Sequence, residues 1–81
     1  MHQVAQLNRR RRVPNRELIA LRINAGLSPN DLALRAGISG NTVRAAERGL
    51  YVSPRSQYAI ARALDVLPLA IFPFERQRVA A

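Results

Sequence analysis

Ser28-Pro-Asn-Asp-Leu-Ala-Leu-Arg-Ala-Gly37-Ile-Ser-Gly-Asn-Thr-Val-Arg-Ala-Ala-Glu-Arg-Gly49 reads as two short helices joined by a tight turn. Ser28 can cap the first, Pro29 suits its first position, and Asp31 stands where a capping box places an acid. Leu32, Ala33 and Ala36 form one apolar face. Gly37 can enter the left-handed region and stop the helix. Ser39 caps the second helix, whose inward positions are Val43 and Ala46. Ala33 is small and Gly37 has no side chain, so the second helix can cross close over the first.

Two helices crossing in this way make a helix-turn-helix, whose second helix fits the DNA major groove. The pattern continues on both sides. Upstream, Glu17-Leu18-Ile19-Ala20-Leu21-Arg22-Ile23-Asn24-Ala25-Gly26-Leu27 forms another helix with a glycine stop. Downstream come Ala46-Glu47-Arg48-Gly49, then Pro54 to Val66 ending Ile60-Ala61-Arg62-Ala63-Leu64-Asp65-Val66.

In this order and spacing, these segments resemble the Cro/cI (XRE-type) family of phage and bacterial repressors. Arg22 to Leu27 is similar to that family's Arg-x-x-x-Gly-Leu, Glu47 to Gly49 to its Glu-x-Gly signature, and Pro54 to Val66 to its fourth helix. About two thirds of the chain is covered. The resemblance implies an all-α, four-to-five-helix, lambda-repressor-like DNA-binding domain. It also implies that Arg22 on helix 1 pairs with Glu47.

Composition agrees with a nucleic-acid partner. Eighty-one residues allow one small domain, and there is no cysteine for a disulfide or thiolate metal site. A net charge of +8 comes entirely from arginine, of which there are thirteen. Arg9 to Arg12 are four of them, and the remaining nine still outnumber the five acids. Such a charge favours a polyanion, and the arginine fork donates two parallel hydrogen bonds to phosphate or guanine. The plainer reading of the charge is a solubilising surface. No apolar run can span a bilayer, and residues 1–13 lack the apolar core of a signal peptide. A bacterial cytoplasmic or nucleoid-associated location is expected.

Residues 1–13 read as a basic flexible arm, because four adjacent arginines repel one another. Residues 14–73 form the domain and 74–81 a tail. Asn15 is the expected N-cap of helix 1, with Leu18, Leu21, Ala25 and Leu27 facing the core and Gly26 ending it. Helix 2 is expected over 29–36, helix 3 over 40–48, and helix 4 over 54–64 after the cap Ser53. Tyr58, Ile60, Ala61 and Leu64 give helix 4 its inward stripe. A fifth short helix runs from Pro68 to Phe72 and must end at Pro73.

The exposed start of helix 3 would meet the bases, through Gly40, Asn41, Thr42, Arg44 and Ala45. Asn41 can pair with adenine N6 and N7. Arg44 can fork onto guanine O6 and N7 or clamp a phosphate. Thr42 can bind phosphate or meet a thymine methyl. Against this, Asn41 and Thr42 also suit any helix start, and Arg44 any solvated face. The resemblance implies base contacts at Gly40, Asn41, Arg44 and Ala45, although Gly40 and Ala45 are shorter than the polar residues usual there.

Phosphate contacts are expected from Asn30, Ser39, Arg48, Ser53 and Arg55 near helix N-termini, and from Arg9, Arg10, Arg11 and Arg12. Pro29 departs from the polar residue usual at its position. Some family members place an arginine matching Arg55 against the minor groove. Leu69, Phe72 and Phe74 are expected to form a two-fold dimer contact.

No catalytic set is present. His2 is the lone histidine, so no metal site or cofactor is expected, and the chain does not read as an enzyme. Glu17 and Asp31 favour their helix dipoles.

Three roles fit this reading. The first is a dimeric, sequence-specific transcriptional regulator resembling Cro or a small immunity repressor at a palindromic operator. The second is an antitoxin masking a toxin through Leu50-Tyr51-Val52, Phe72 and Phe74 while autoregulating its operon. The third is an architectural protein binding through Arg9–Arg12 without sequence preference.

Overall fold

The computed structural model describes residues 13–73. Five helices occur among them: α1 Arg16–Asn24, α2 Pro29–Ala36, α3 Gly40–Glu47, α4 Pro54–Ala63 and α5 Pro68–Ile71. The all-α architecture follows from local signals. Asn15, Ser28, Ser39 and Ser53 each accept a backbone N–H from the first turn of the helix they cap. Each cap satisfies a donor with no partner inside the helix.

The first four helices also close alike. A residue with positive φ turns the chain after each: Gly26, Gly37, Gly49 and, unexpectedly, Asp65. The next N–H then bonds five residues back, from Leu27 to Arg22, Ile38 to Ala33, Leu50 to Ala45 and Val66 to Ala61, at 3.0–3.1 Å. This six-to-one bond satisfies carbonyls that would otherwise be orphaned.

Packing places α2 against both α3 and α4, with α1 touching α3 and α5, and α5 resting on α4. Leu18, Leu32, Val43, Ile60 and Ile71 are fully buried, and Ala33, Ala46, Val52, Ala61 and Phe72 complete the core. Each fully buried large side chain contributes about 1.5–3 kcal/mol relative to exposure. The small residues Ala33 and Ala46 let α2 and α3 approach.

Two inward assignments change. Ala25 is exposed because α1 ends at Asn24 and Ala25 already belongs to the turn. Tyr58 is 63% exposed, and Gln57 takes the inward place. The face through Ile60, Ala61 and Leu64 continues back to position 57, not 58, at helical spacing. Gln57 is buried at low cost because its Nε2 donates to Val52 O at 2.9 Å. Phe72 packs inside its own chain, 9% exposed, because α5 folds its end back onto the core.

Asn15 holds the two ends of the domain together. Its Oδ1 caps α1, its Nδ2 donates to Ile71 O at 2.7 Å, and its backbone N–H donates to Glu47 O at 2.9 Å. One residue thus joins α1, α5 and the end of α3.

A capping box opens α2: Asp31 N–H donates to Ser28 Oγ at 3.0 Å, and Ser28 N–H to Asp31 Oδ2 at 3.1 Å. The Ser28 backbone N–H, then the Ser28 side chain, hold the Asp31 carboxyl below its usual value; Arg35 adds a weaker pull, and a small loss of hydration opposes them. A lowered folded-state pKa contributes stability that is complete above the unfolded value and is lost as pH falls through the lowered one. Melting temperature should therefore fall on the acid side, and Asp31→Asn should flatten that fall. Equal acid-side slopes in both proteins would show that the box does not sense pH.

Candidate nucleic-acid interface

Helix α3 presents a short outer face. Val43 and Ala46 are buried, while Asn41 and Arg44 are exposed on the same side. Thr42 is half-buried. Its N–H donates to Ser39 Oγ at 3.1 Å, and the two hydroxyl groups lie 2.9 Å apart. Ala45 is also half-buried and packs against the edge of the core. Of the five residues expected at the bases, Asn41 and Arg44 therefore offer long polar side chains at the surface.

Arg44 does not extend freely. Its Nη1 donates to Asn30 Oδ1 at 3.0 Å and its Nη2 to Asn41 Oδ1 at 3.2 Å. The first bond crosses from α3 to α2. The sequence gives no periodic signal for it, since the partners lie fourteen positions apart and meet only through the helix crossing.

A shallow groove lies beside α3, lined by Asn41, Thr42, Ala45, Tyr51, Ser53 and Ser56 among others. It joins the outer face of α3 to the start of α4. Tyr51, 55% exposed, stands at this groove. The neighbouring Val52 is buried, so the segment Leu50-Tyr51-Val52 offers less apolar surface than its composition suggested.

The helix N-termini differ in how they can receive phosphate. At α2, Pro29 has no N–H, the N–H groups of Asp31 and Leu32 are taken by Ser28, and Asp31 adds a negative charge. The first turns of α3 and α4 contain no acid. At α4, Ser53 and Arg55 are both exposed beside that positive helix end. Arg48 is exposed at the C-cap of α3, and Ser39 at its N-cap.

Arg22 and Glu47 lock α3 to α1. Arg22 Nε donates to Glu47 Oε2, Nη2 donates to Oε1 at 3.1 Å, and Nη1 donates to Leu27 O at 2.9 Å. The pair is nearly buried, with side chains 14% and 11% exposed. Two parallel bonds fix the carboxylate in one orientation, and with it the end of α3.

Arg9–Arg12 and Phe74 lie outside the described residues. Leu67 and Leu69, at the start of α5, are 75% and 47% exposed. Among the described residues, no group of acids and histidine could hold a metal ion. No helix among them is long and apolar enough to cross a membrane.

A family model described as a helix-turn-helix domain matches residues 15–70. Among curated proteins and among solved structures, none matches the chain.

Proposed function

Since the chain belongs to the helix-turn-helix domain family, we propose that it is a sequence-specific regulator of transcription that reads duplex DNA through α3. The observation that carries this reading is the pairing of Asn41 and Arg44 on the exposed face of a helix whose other face is locked into the core. The finer identity is a Cro-like or small immunity repressor of a phage or bacterium, acting in the cytoplasm or on the nucleoid. Its resemblance to the Cro/cI family supports that identity. Burial of Val52 and Phe72 leaves less apolar surface for an antitoxin role than their sequence positions offered.

In this reading Asn41 pairs with adenine and Arg44 with guanine, while Thr42 and Ala45 bound the contact at the groove floor. Ser39, Ser53, Arg48 and Arg55 hold the phosphates on either side, and α4 supplies the anion-binding helix end. Two protomers meet through Leu69 and Phe74 of the expected contact, with the exposed Leu67 beside them, and place their α3 helices in successive major grooves, ~34 Å apart. Selection from a random duplex library should return a palindromic motif. A pool no more ordered than its input would refute sequence-specific reading.

Arg44→Ala should weaken binding to the selected duplex by ~1–3 kcal/mol and relax preference at one base pair. Competition with single-base-pair variants reads this directly. Equal loss on every duplex would make Arg44 a phosphate contact.

Arg9–Arg12 would follow the DNA backbone or enter the minor groove, where a narrow groove concentrates negative potential. Val13, to which they connect, lies against the turn after α3. Deleting residues 1–12 should lower affinity on all sequences and leave the consensus unchanged. It should reduce the log–log salt slope by roughly one unit for each phosphate no longer neutralised. An unchanged slope would remove the arm from the interface.

A further inference from the structure

Gly40 is the first residue of α3 and has ordinary helical backbone, so no turn requires glycine there. Its neighbours supply a different reason. A Cβ at position 40 would overlap Asn30 Oδ1 and stand 3.0 Å from Arg44 Nη2. The missing side chain is the space through which Asn30 of α2 reaches Arg44 of α3.

We propose that Asn30 is a positioning residue that presents Arg44 to DNA across the gap left by Gly40. This rests on the reading in which Arg44 meets DNA, and gives Asn30 and Gly40 roles other than direct contact. The chemistry favours it. A guanidinium has five N–H donors, and Asn30 and Asn41 engage one each. The remaining donors can still fork onto a base edge or a phosphate. The two acceptors come from different helices, so together they fix the direction of a long side chain that would otherwise sample many rotamers. Because Asn30 is neutral, it orders Arg44 without cancelling its charge. An acid at position 30 would hold Arg44 as firmly but would repel the DNA backbone.

The position is suited to testing because Asn30 and Arg44 are exposed. The three atoms nearest a Cβ at position 40 are the ends of the Asn30 and Arg44 side chains, which can move, so Gly40→Ala displaces Asn30 first. Asn30→Ala and Gly40→Ala should leave the thermal midpoint in place.

The first readout uses the free protein. Nitrogen-15 relaxation of the Arg44 Nε–H should show a restrained side chain in wild type and a mobile one in Asn30→Ala and Gly40→Ala. Asn30→Asp should keep it restrained. Equal mobility in all four proteins would overturn the proposal. The second readout is affinity for the selected duplex. Asn30→Ala and Gly40→Ala should each weaken it about two- to tenfold, the cost of immobilising one flexible side chain on binding. In an Arg44→Ala background neither change should add a loss. Additive losses would show that Asn30 acts on DNA by itself, and would overturn the proposal. If Arg44→Ala weakens all duplexes equally, base reading by Arg44 falls, but the coupling of Asn30 to Arg44 still decides whether Asn30 positions it.

Discussion

Arg22→Ala and Glu47→Ala should each cost about 3–5 kcal/mol of folding stability, the range for removing one partner of a buried ion pair. The cost arises less from lost attraction than from the charge left behind. Without Arg22, the Glu47 carboxylate is nearly buried with no cation, and Leu27 O loses its donor. Without Glu47, the guanidinium keeps only the Leu27 carbonyl. A domain of this size has about 5–15 kcal/mol in total, so either variant should have a sharply lowered urea midpoint. The double variant should lose less than the sum, because no lone charge remains. Replacing both with apolar residues, Arg22→Met with Glu47→Leu, should restore most of the stability. Additive losses would mean that the two side chains do not act as a unit.

Gly49→Ala should be the most damaging of the glycine substitutions, at about 2–5 kcal/mol in the sum of two costs. Gly49 has φ +85°, where an L-residue loses roughly 1–2 kcal/mol. Its Cβ would also overlap the Val13 carbonyl, and forcing atoms into packed space costs about 1–3 kcal/mol more. Val13 cannot retreat freely, because Asn15 two residues on is bonded to Glu47, Ile71 and the start of α1. Gly37 is the internal control: it has φ +75°, but a Cβ there would meet nothing within 4 Å. Gly37→Ala should therefore suffer the backbone cost alone. Asparagine, which tolerates the left-handed region, should rescue position 37 and not position 49. Equal denaturation midpoints for Gly37→Asn and Gly49→Asn would show that the Val13 segment yields without cost.

Much of the fold was legible because its signals are local. Asn15, Ser28, Ser39 and Ser53 announce helix starts through side chains that reach only three residues ahead. Gly26, Gly37 and Gly49 announce ends. The fourth end, expected near 64, carries no glycine, because Asp65 takes the left-handed turn that glycine takes elsewhere. Inward faces were legible where apolar residues keep helical spacing, as at Leu32 and Ala33 or Val43 and Ala46. They were not at α4, where a buried glutamine and an exposed tyrosine reverse the hydrophobic expectation. Gln57 can be buried only because Val52 O lies beside it, a fact of tertiary structure.

The candidate interface divides in the same way. Asn41 and Arg44 could be placed on the outer face by counting around one helix. The Asn30–Arg44 bond could not, since it depends on how α2 and α3 cross and on the side chain that Gly40 lacks. At the end of the chain, the inward turn of Phe72 and the exposure of Leu67 and Leu69 likewise depend on how α5 packs on the core.

The central claim is that the outer face of α3, with the start of α4, is the surface that meets DNA. Titrating the isotope-labelled protein with its selected duplex, and following amide and side-chain resonances by NMR, tests it most directly. The account predicts the largest changes at Asn41, Thr42 and Arg44, with a second set at Ser53 and Arg55. Binding that leaves the α3 resonances unmoved would contradict it.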